Sequence, residues 1–137
     1  ISSVDGKPHS ATIHFSVSND VCRDTRLQQT TATVMQHAAI PYVKVGTISQ
    51  DLLKKKGDDV RIDWGYAYLA GKNMQLSANK DEMRATFNLT TGQDQTNIKT
   101  LMLTYDDISS VNYFGKNLEA WWKKIVYFRR FSGLGKR

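Results

Sequence analysis

Two adjacent carboxylates, Asp106 and Asp107, form the best acidic pair in the sequence. Paired carboxylates can act as a general acid and base, or they can bind a hard cation. Neighbouring residues on an extended strand point to opposite faces, so this pair converges only if the backbone turns there. We therefore expect a structural role, in which one carboxylate caps the turn toward Ile108 and the other forms an ion pair with an arginine.

A second group of charged residues lies just before an aromatic stretch in the middle of the chain. Three carboxylates and one guanidinium at the entrance of a strand suit a polar network. Carboxylates around a buried arginine would fix the register of that strand, whereas a shallow pocket that they line with an aromatic ring could bind a sugar or an amino acid. We favour the structural role. The residues concerned are Asp58, Asp59, Arg61, Asp63 and the adjoining Trp64.

The sequence lacks the patterns of a self-contained catalytic site. It has no nucleophilic serine elbow, no glycine-rich phosphate loop and no HExxH pattern. The histidines His9, His14 and His37 are scattered, and no CxxC pair provides zinc-ligand spacing. Cys22 is the only cysteine, and we expect it to be a small core or edge residue rather than a nucleophile. The sequence therefore predicts no catalytic residue, no cofactor and no metal in this chain.

The central charged group leads into a segment with strand-like alternation, from Gly57 to Leu69. In an extended chain the large side chains of this segment share one face. The other face begins with Arg61 and Asp63 and then becomes small and apolar. We expect one strand over the whole segment, with its aromatic stripe packed in the core of a sandwich. The stripe consists of Trp64, Tyr66 and Tyr68.

Further alternating segments predict additional strands. They include Ala11 to Val17, Met83 to Leu89 and Leu101 to Tyr105. Gly71-Lys72-Asn73 indicates a tight turn of the kind that closes a hairpin. About six strands separated by short turns predict an all-β fold, an antiparallel β-sandwich of the jelly-roll or supersandwich kind.

A short C-terminal helix is expected from Lys116 to about Lys124, with Asn117 as its cap. It contains Trp121 and Trp122, and adjacent residues on a helix diverge by about a quarter turn. One indole can therefore pack on the sandwich while the other stays exposed. We expect the exposed indole to contact a neighbouring domain, or a second copy of the chain by weak self-association.

The formal net charge of +6 comes from the C-terminal end of the chain. Residues 116–137 contain seven basic side chains and one acidic side chain, whereas the preceding residues contain twelve of each. A nucleic-acid-binding domain is expected to carry a basic stripe across its folded surface. We interpret the end as a solvated basic tail and expect no nucleic-acid partner. No apolar run approaches the ~20 residues that span a bilayer, so we expect no membrane partner either.

Three segments carry a family resemblance. They read GDDVRIDWGYAYL at 57–69, TYDDISSVNYFGK at 104–116 and WW at 121–122. Together they resemble the N-terminal β domain of the glutaminase A family of secreted bacterial and fungal proteins, over about Ile1 to Lys124. The resemblance implies a multidomain parent, in which glutamine hydrolysis belongs to a following helical-toroid domain outside this chain. The segment 125–137 does not match the helical linker expected toward that domain.

We therefore expect residues 1–124 to form a non-catalytic accessory domain of a secreted or periplasmic glutaminase-like protein, followed by a basic tail or linker at 125–137. Its partner would be the helical-toroid catalytic domain of the same parent. The chain begins with Ile1 rather than Met and has no leader segment, so we expect it to be an excised piece. Two alternatives stay open. One is a carbohydrate-binding module of a glycoside-hydrolase-like protein, and the other is a purely structural interdomain module.

Overall fold

The computed structural model describes residues 2–54, 62–92 and 98–123 as a fold of antiparallel strands. A helical turn at 121–123 follows the last strand. The predicted all-β fold with packed antiparallel sheets and a short C-terminal helical turn is therefore confirmed. The strands are His9–Ser18 (β1), Thr30–His37 (β2), Ile40–Thr47 (β3), Tyr66–Gly71 (β4), Gln75–Ala78 (β5), Glu82–Thr91 (β6), Leu101–Asp106 (β7), Val111–Tyr113 (β8) and Lys116–Leu118 (β9).

Two sheets of unequal width pack against each other. The three-strand sheet has the order β1-β6-β5, and the four-strand sheet has the order β2-β3-β4-β7. β5 lies over β2 and β3, while β6 lies over β4. β8 and β9 form a separate two-stranded ribbon. The three-strand sheet therefore covers β2, β3 and β4 of the four-strand sheet, and β1 lies at its edge beyond β6.

The core forms where the two sheets overlap. Apolar side chains alternate along each strand, so every second residue of the central strands points inward. Cys22 enters the same core from a single 3₁₀ turn, Asn19–Cys22, as expected of a small core residue. Burial raises the pKa of its thiol, which donates a hydrogen bond to the carbonyl oxygen of Val45 at 3.4 Å. The buried core residues are Cys22, Val43, Val45, Ala67, Leu69, Met83 and Ala85.

The aromatic stripe does not lie on the predicted face. β4 begins only at Tyr66, residues 62–65 are not part of a strand, and residues 55–61 lie outside the described part of the chain. Ala67 and Leu69 point into the core, whereas Tyr66 and Tyr68 are half-buried on the outer face. The narrow, closely packed space between the sheets suits Ala and Leu better than two phenol rings. On the outer face the tyrosine hydroxyls also stay close to water.

The turn at residues 71–73 does not close a hairpin. It connects β4 in the four-strand sheet with β5 in the three-strand sheet. Both sides of β4 already pair with other strands, β3 on one side and β7 on the other. No position beside β4 is therefore open to β5, and the chain crosses to the opposite sheet.

The predicted helix from Lys116 to Lys124 is wrong over its first part. Residues 116–118 form β9, which pairs with β8 across a two-residue turn at Phe114 and Gly115. These turn residues have φ angles of 45° and 79°, as a type I′ hairpin turn requires. Asn117 does not cap a helix, because its Oδ1 accepts a hydrogen bond from Nδ2 of Asn112 at 2.7 Å. Helical backbone is present at 121–123, and Lys124 lies outside the described residues.

Leu69 and Leu103 test the position of the core, because they are cross-strand neighbours on one face. Leu69 is fully buried, whereas Leu103 is 50% exposed. Leu69→Ala should lower the free energy of unfolding by about 2–5 kcal/mol, as buried Leu truncations do. The matched Leu103→Ala should cost only about 1 kcal/mol, since its side chain is half in water already. Urea unfolding followed by circular dichroism measures both, and equal losses would contradict this placement of the core.

Candidate functional site

Four of the predicted site residues meet at one end of the sandwich, in a cluster that we call the loop junction: Asp63, Trp64, Asp106 and Asp107. It lies where the chain enters β2, leaves β3, enters β4 and leaves β7, so it holds three connections together. Its residues are Gln28, Thr47, Gln50, Asp63, Trp64, Gly65, Tyr105, Asp106, Asp107, Ile108, Ser109 and Lys123.

Asp63 anchors the first part of the loop junction. It is buried, and its Oδ2 accepts a hydrogen bond from Nε2 of Gln28 at 2.7 Å. Its backbone oxygen accepts a hydrogen bond from Oγ1 of Thr47 at 2.6 Å. Gln28 is not predictable as a partner of Asp63, because it lies 35 residues away and no local pattern links the two. The other predicted members of this network, Asp58, Asp59 and Arg61, lie outside the described residues.

Trp64 is buried, as predicted, but it fixes a loop rather than a strand. Its indole Nε1 donates a hydrogen bond to the carbonyl oxygen of Ser109 at 3.1 Å. Its own carbonyl oxygen accepts a hydrogen bond from the hydroxyl of Tyr105 at 2.5 Å. Burial raises the pKa of the Tyr105 hydroxyl far above its usual range, so this donor keeps its proton at neutral pH. Trp64 therefore ties the entrance of β4 to the segment that follows β7.

Gly65 allows two backbone segments of the loop junction to approach each other closely. Its φ is +89°, a conformation that L side chains rarely adopt. A Cβ at this position would lie 2.2 Å from the carbonyl oxygen of Asp106 and 2.8 Å from Cα of Asp107. The side-chain amide of Gln50 bonds the same residue on both sides, accepting from its N–H at 2.5 Å and donating to its oxygen at 3.2 Å. Only glycine fits here.

Asp106 caps the turn after β7, as expected. Its Oδ1 accepts a hydrogen bond from the backbone N–H of Ile108 at 2.9 Å. The expected ion pair between the other carboxylate, Asp107, and an arginine is not seen among the described residues. The ion pair is again on Asp106: Nζ of Lys123 lies 2.6 Å from the same Oδ1 and also donates to the carbonyl oxygen of Ile108 at 3.1 Å. Lys123 and Asp106 are both largely shielded from solvent, so the pair attaches the helical turn firmly to the end of β7.

The loop junction is built to hold backbone segments in place. Its described carboxylates of Asp63 and Asp106 bind an amide, a backbone N–H and an ammonium group within the chain. Within residues 2–54, 62–92 and 98–123, no group of three or more His, Cys, Asp or Glu side chains could hold a metal ion. No helix in the same ranges has the length and apolar character needed to cross a membrane.

A second feature is the outer surface of the four-strand sheet, which we call the tyrosine face, formed by Tyr42, Lys44, Tyr66 and Tyr68. The ring centroids of Tyr42 and Tyr68 are 6.1 Å apart, and those of Tyr66 and Tyr68 are 6.5 Å apart. Nζ of Lys44 lies 3.6 Å from the centroid of the Tyr66 ring. Burial, with a smaller contribution from the Asp106 carboxylate, raises the pKa of Tyr68. Tyr66 and Tyr68 therefore lie on this face rather than in the predicted core, and no sequence motif indicated Tyr42 or Lys44 as part of a site.

A shallow groove continues the tyrosine face toward the far end of the sheet. It runs beside the rings of Tyr42 and Tyr68, and most of its walls are apolar. Imidazole, hydroxyl and phenol groups provide hydrogen-bonding positions around it. The arrangement suits a ligand with an apolar face and polar edges. The other lining residues are His37, Ile40, Ala70, Met102 and Thr104.

A third feature is the exposed apolar surface after β7. Trp121 is 74% exposed and Trp122 is 49% exposed, so the expectation that one indole packs on the sandwich is wrong. The reason is that the β8–β9 ribbon, not a helix packed on a sheet, precedes them. The rings of Tyr113 and Phe114 meet edge to face with centroids 4.7 Å apart. We define the C-terminal aromatic patch as Val111, Tyr113, Phe114, Leu118, Trp121 and Trp122, all of which are exposed.

Comparison with known proteins places the chain in a family. Residues 1–99 match the model of a family described as Domain of unknown function (DUF5127). Because this match covers more than half of the chain, the chain belongs to that family. The match ends before β7, so the C-terminal aromatic patch lies beyond it. No curated protein and no solved structure matches the chain.

Gly65 and Gly115 form a matched pair for testing the loop junction, because both have positive φ. Gly115→Ala adds a Cβ that meets nothing within 4 Å, so we expect only backbone strain of about 1–2 kcal/mol. Gly65→Ala adds the same strain and a clash with backbone atoms that cannot move aside, so the total loss should exceed about 3 kcal/mol. Urea unfolding measures both losses. Similar values for the two variants would contradict a tight contact at Gly65.

Proposed function

We propose that this DUF5127 domain is a non-catalytic accessory domain of a larger secreted or periplasmic protein of the glutaminase A kind. In this proposal a following helical-toroid domain hydrolyses the amide of glutamine, and the present chain supports that domain from one side. The resemblance at 57–69 and 104–116 supports the choice of parent. The docking role is supported by the exposure of the C-terminal aromatic patch.

The composition and position of the C-terminal aromatic patch suit an interdomain contact. Six large apolar side chains are exposed within residues 111–122, and four of them are aromatic. Monomeric proteins rarely expose large contiguous apolar patches, and Trp and Tyr are enriched in interface hot spots. A domain that follows in the same chain is held nearby at an effective concentration in the millimolar range, so even a modest patch suffices.

The loop junction would give this docking surface a fixed direction. Lys123 bonds both the carboxylate of Asp106 and the carbonyl oxygen of Ile108. These contacts hold the helical turn at 121–123 against the end of β7. Asp106 in turn lies against Gly65, whose position is set by the amide of Gln50. The domain would therefore present Trp121 and Trp122 from a rigid base rather than from a loose end.

An ammonia assay tests the proposal directly. We expect no ammonia release when the purified chain is incubated with glutamine, because the carboxylates of Asp63 and Asp106 are occupied by structural contacts. The longest reading frame that contains this chain should release ammonia under the same conditions. Turnover by the chain alone that disappears in Asp106→Asn or Asp63→Asn would overturn the proposal, and so would a longer protein that releases none.

Substitutions in the same longer protein test whether the two domains make a stabilising contact or are only joined by the chain. The double substitution Trp121→Ser and Trp122→Ser should lower its unfolding temperature, because the interdomain contact loses two indoles. Leu27→Ser, at an exposed apolar residue in the loop before β2, is the control and should leave it unchanged. An effect no larger than that of Leu27→Ser would show that the patch does not dock.

The tyrosine face favours a second candidate function, a carbohydrate-binding module. Sugars present C–H faces that stack on aromatic rings and hydroxyl groups that need hydrogen-bonding partners at their edges. The groove beside Tyr42 and Tyr68 offers both kinds of contact. The tilt of 47° between these two rings suits a short oligosaccharide that follows a curved surface better than a flat crystalline polymer.

Titration calorimetry with a panel of soluble hexasaccharides tests this second candidate. If one of them binds, Tyr68→Ala should weaken binding at least tenfold, about 1.4 kcal/mol, because the ring forms one wall of the groove. Tyr113→Ala is the matched control, since Tyr113 is 62% exposed but lies on the β8–β9 ribbon. Circular dichroism would check that both variants fold. No binding by any hexasaccharide, or equal losses in both variants, would remove the candidate.

A further inference from the structure

β1 is an edge strand that lacks the usual protection of edges. It pairs with β6 on one side, and no strand in the described part of the chain pairs with its other side. Its ten residues keep one continuous register with β6, from His9↔Thr91 to Ser18↔Glu82, without a bulge. It contains no Lys, Arg, Asp, Glu or Pro. Natural edge strands normally carry such residues, or are short, because a bare edge can pair with another chain.

The opposite edge of the same sheet shows the contrast. β5 is only four residues long, which limits the number of backbone groups that another strand could bond. β1 is more than twice as long and extends over the whole length of β6. Of the two edges of the three-strand sheet, β1 is therefore the one that can accept a further strand.

The inner face of β1 is only partly covered. Val17 and Phe15 pair with Met83 and Ala85 of β6, which are completely buried. Val17 is only half-buried, however, and Phe15 is 36% exposed. The cover that the four-strand sheet provides therefore ends between β6 and β1. Ile13, further along the strand, is also half-buried, so an apolar strip is left beside the open edge.

The outer face of β1 is polar and its side chains lean toward β6. Thr12 donates a hydrogen bond to Oδ1 of Asn88, and Nδ1 of His14 lies 3.0 Å from Oγ1 of Thr86. These contacts draw the side chains away from the open edge. The backbone N–H and C=O groups along that edge are therefore not obstructed by charged or bulky side chains from this face.

We propose that two copies of this chain associate through β1, antiparallel about a two-fold axis, so that their three-strand sheets join into one sheet of six strands. A two-fold contact requires a surface that complements itself. In an antiparallel β1 pair, apolar residues of one inner face meet apolar residues of the other, so Ile13 and Phe15 gain cover. The polar outer faces meet in the same way, and neither face of β1 contains a Lys, Arg, Asp or Glu side chain.

The strand pattern narrows the register of this pairing. Inner residues meet inner residues only in alternate registers, because a shift by one residue would place apolar side chains on the outer face. The two registers with nearly complete overlap put the two His14 residues either directly opposite or diagonally adjacent. Their Cβ atoms would then be about 5–8 Å apart. A charge at position 14 would consequently meet the same charge in the second copy.

Sedimentation velocity measures the association. A single strand pair is smaller than a standard interface, so we expect a weak, reversible dimer that appears between about 1 µM and about 1 mM. His14→Lys should shift the midpoint of dimerisation to at least tenfold higher concentration. Gln75→Lys is the matched control, because Gln75 on β5 flanks Thr86 from the other side. This control should dimerise like the wild type.

Opposite charges at residue 14 in two different chains provide a specific test of the two-fold geometry. His14→Lys and His14→Glu chains should each stay monomeric, whereas an equimolar mixture should form a heterodimer. Hydrogen exchange of the wild type should show β1 amides that become protected as the concentration rises, with β5 amides unchanged. The hydrogen-exchange measurement also shows whether β1 forms the interface if the His14 variants fail to fold.

Three outcomes would overturn the proposal. The first is a wild-type chain that is monomeric up to about 1 mM, the weak limit of measurable affinity. The second is a dimer unaffected by His14→Lys. The third is a dimer that disappears in Trp121→Ser and Trp122→Ser but persists in His14→Lys, which would assign association to the C-terminal aromatic patch. None of these outcomes bears on the ammonia assay, so the proposed function is tested separately.

Discussion

The structure depends on the overlap of two sheets of unequal width. Three strands cover part of a four-strand sheet, and every buried apolar residue of the core cluster lies in this overlap or beside it. Hydrophobic burial is the dominant favourable term in folding, so this small region supplies most of the drive to assemble. Because the three-strand sheet covers only part of the four-strand sheet, the outermost strands are incompletely buried. This limited cover leaves the inner face of β1 half-buried and leaves Leu103 half-exposed on β7.

The loop junction is the second level of organisation, because it connects the core to the C-terminal end of the chain. Gly65 allows the backbone at the entrance of β4 to touch the segment after β7, and Trp64 and Tyr105 close that contact with hydrogen bonds. Lys123 then attaches the last described turn to Asp106. The polar residues that the sequence offers as candidates for catalysis therefore hold backbone segments in place. Exposed aromatic surface lies next to this rigid end of the domain.

Several strands could be predicted well from the sequence. β1, β6 and β7 are half-buried strands, and such strands alternate apolar and polar residues with a period of two. The capping role of Asp106 was also predictable, because an aspartate after a strand commonly bonds the backbone two residues later. The hairpin that replaces the first part of the helix predicted at 116–124 was not predictable in this way. The composition of that segment permits a helix, but the turn at Gly115 and the Asn112–Asn117 hydrogen bond favour a hairpin.

The all-β class, the position of most strands and the lack of a recognisable catalytic motif could be inferred from the sequence, because these depend on local periodicity and spacing. The packing of the two sheets determines which face of β4 is inside, since alternation defines two faces without saying which one the second sheet covers. It also determines the partners of the loop junction. Gln28 reaches Asp63, and Lys123 reaches Asp106, across separations that no local pattern encodes. Such contacts arise only when the packed sheets bring distant loops to the same end of the sandwich.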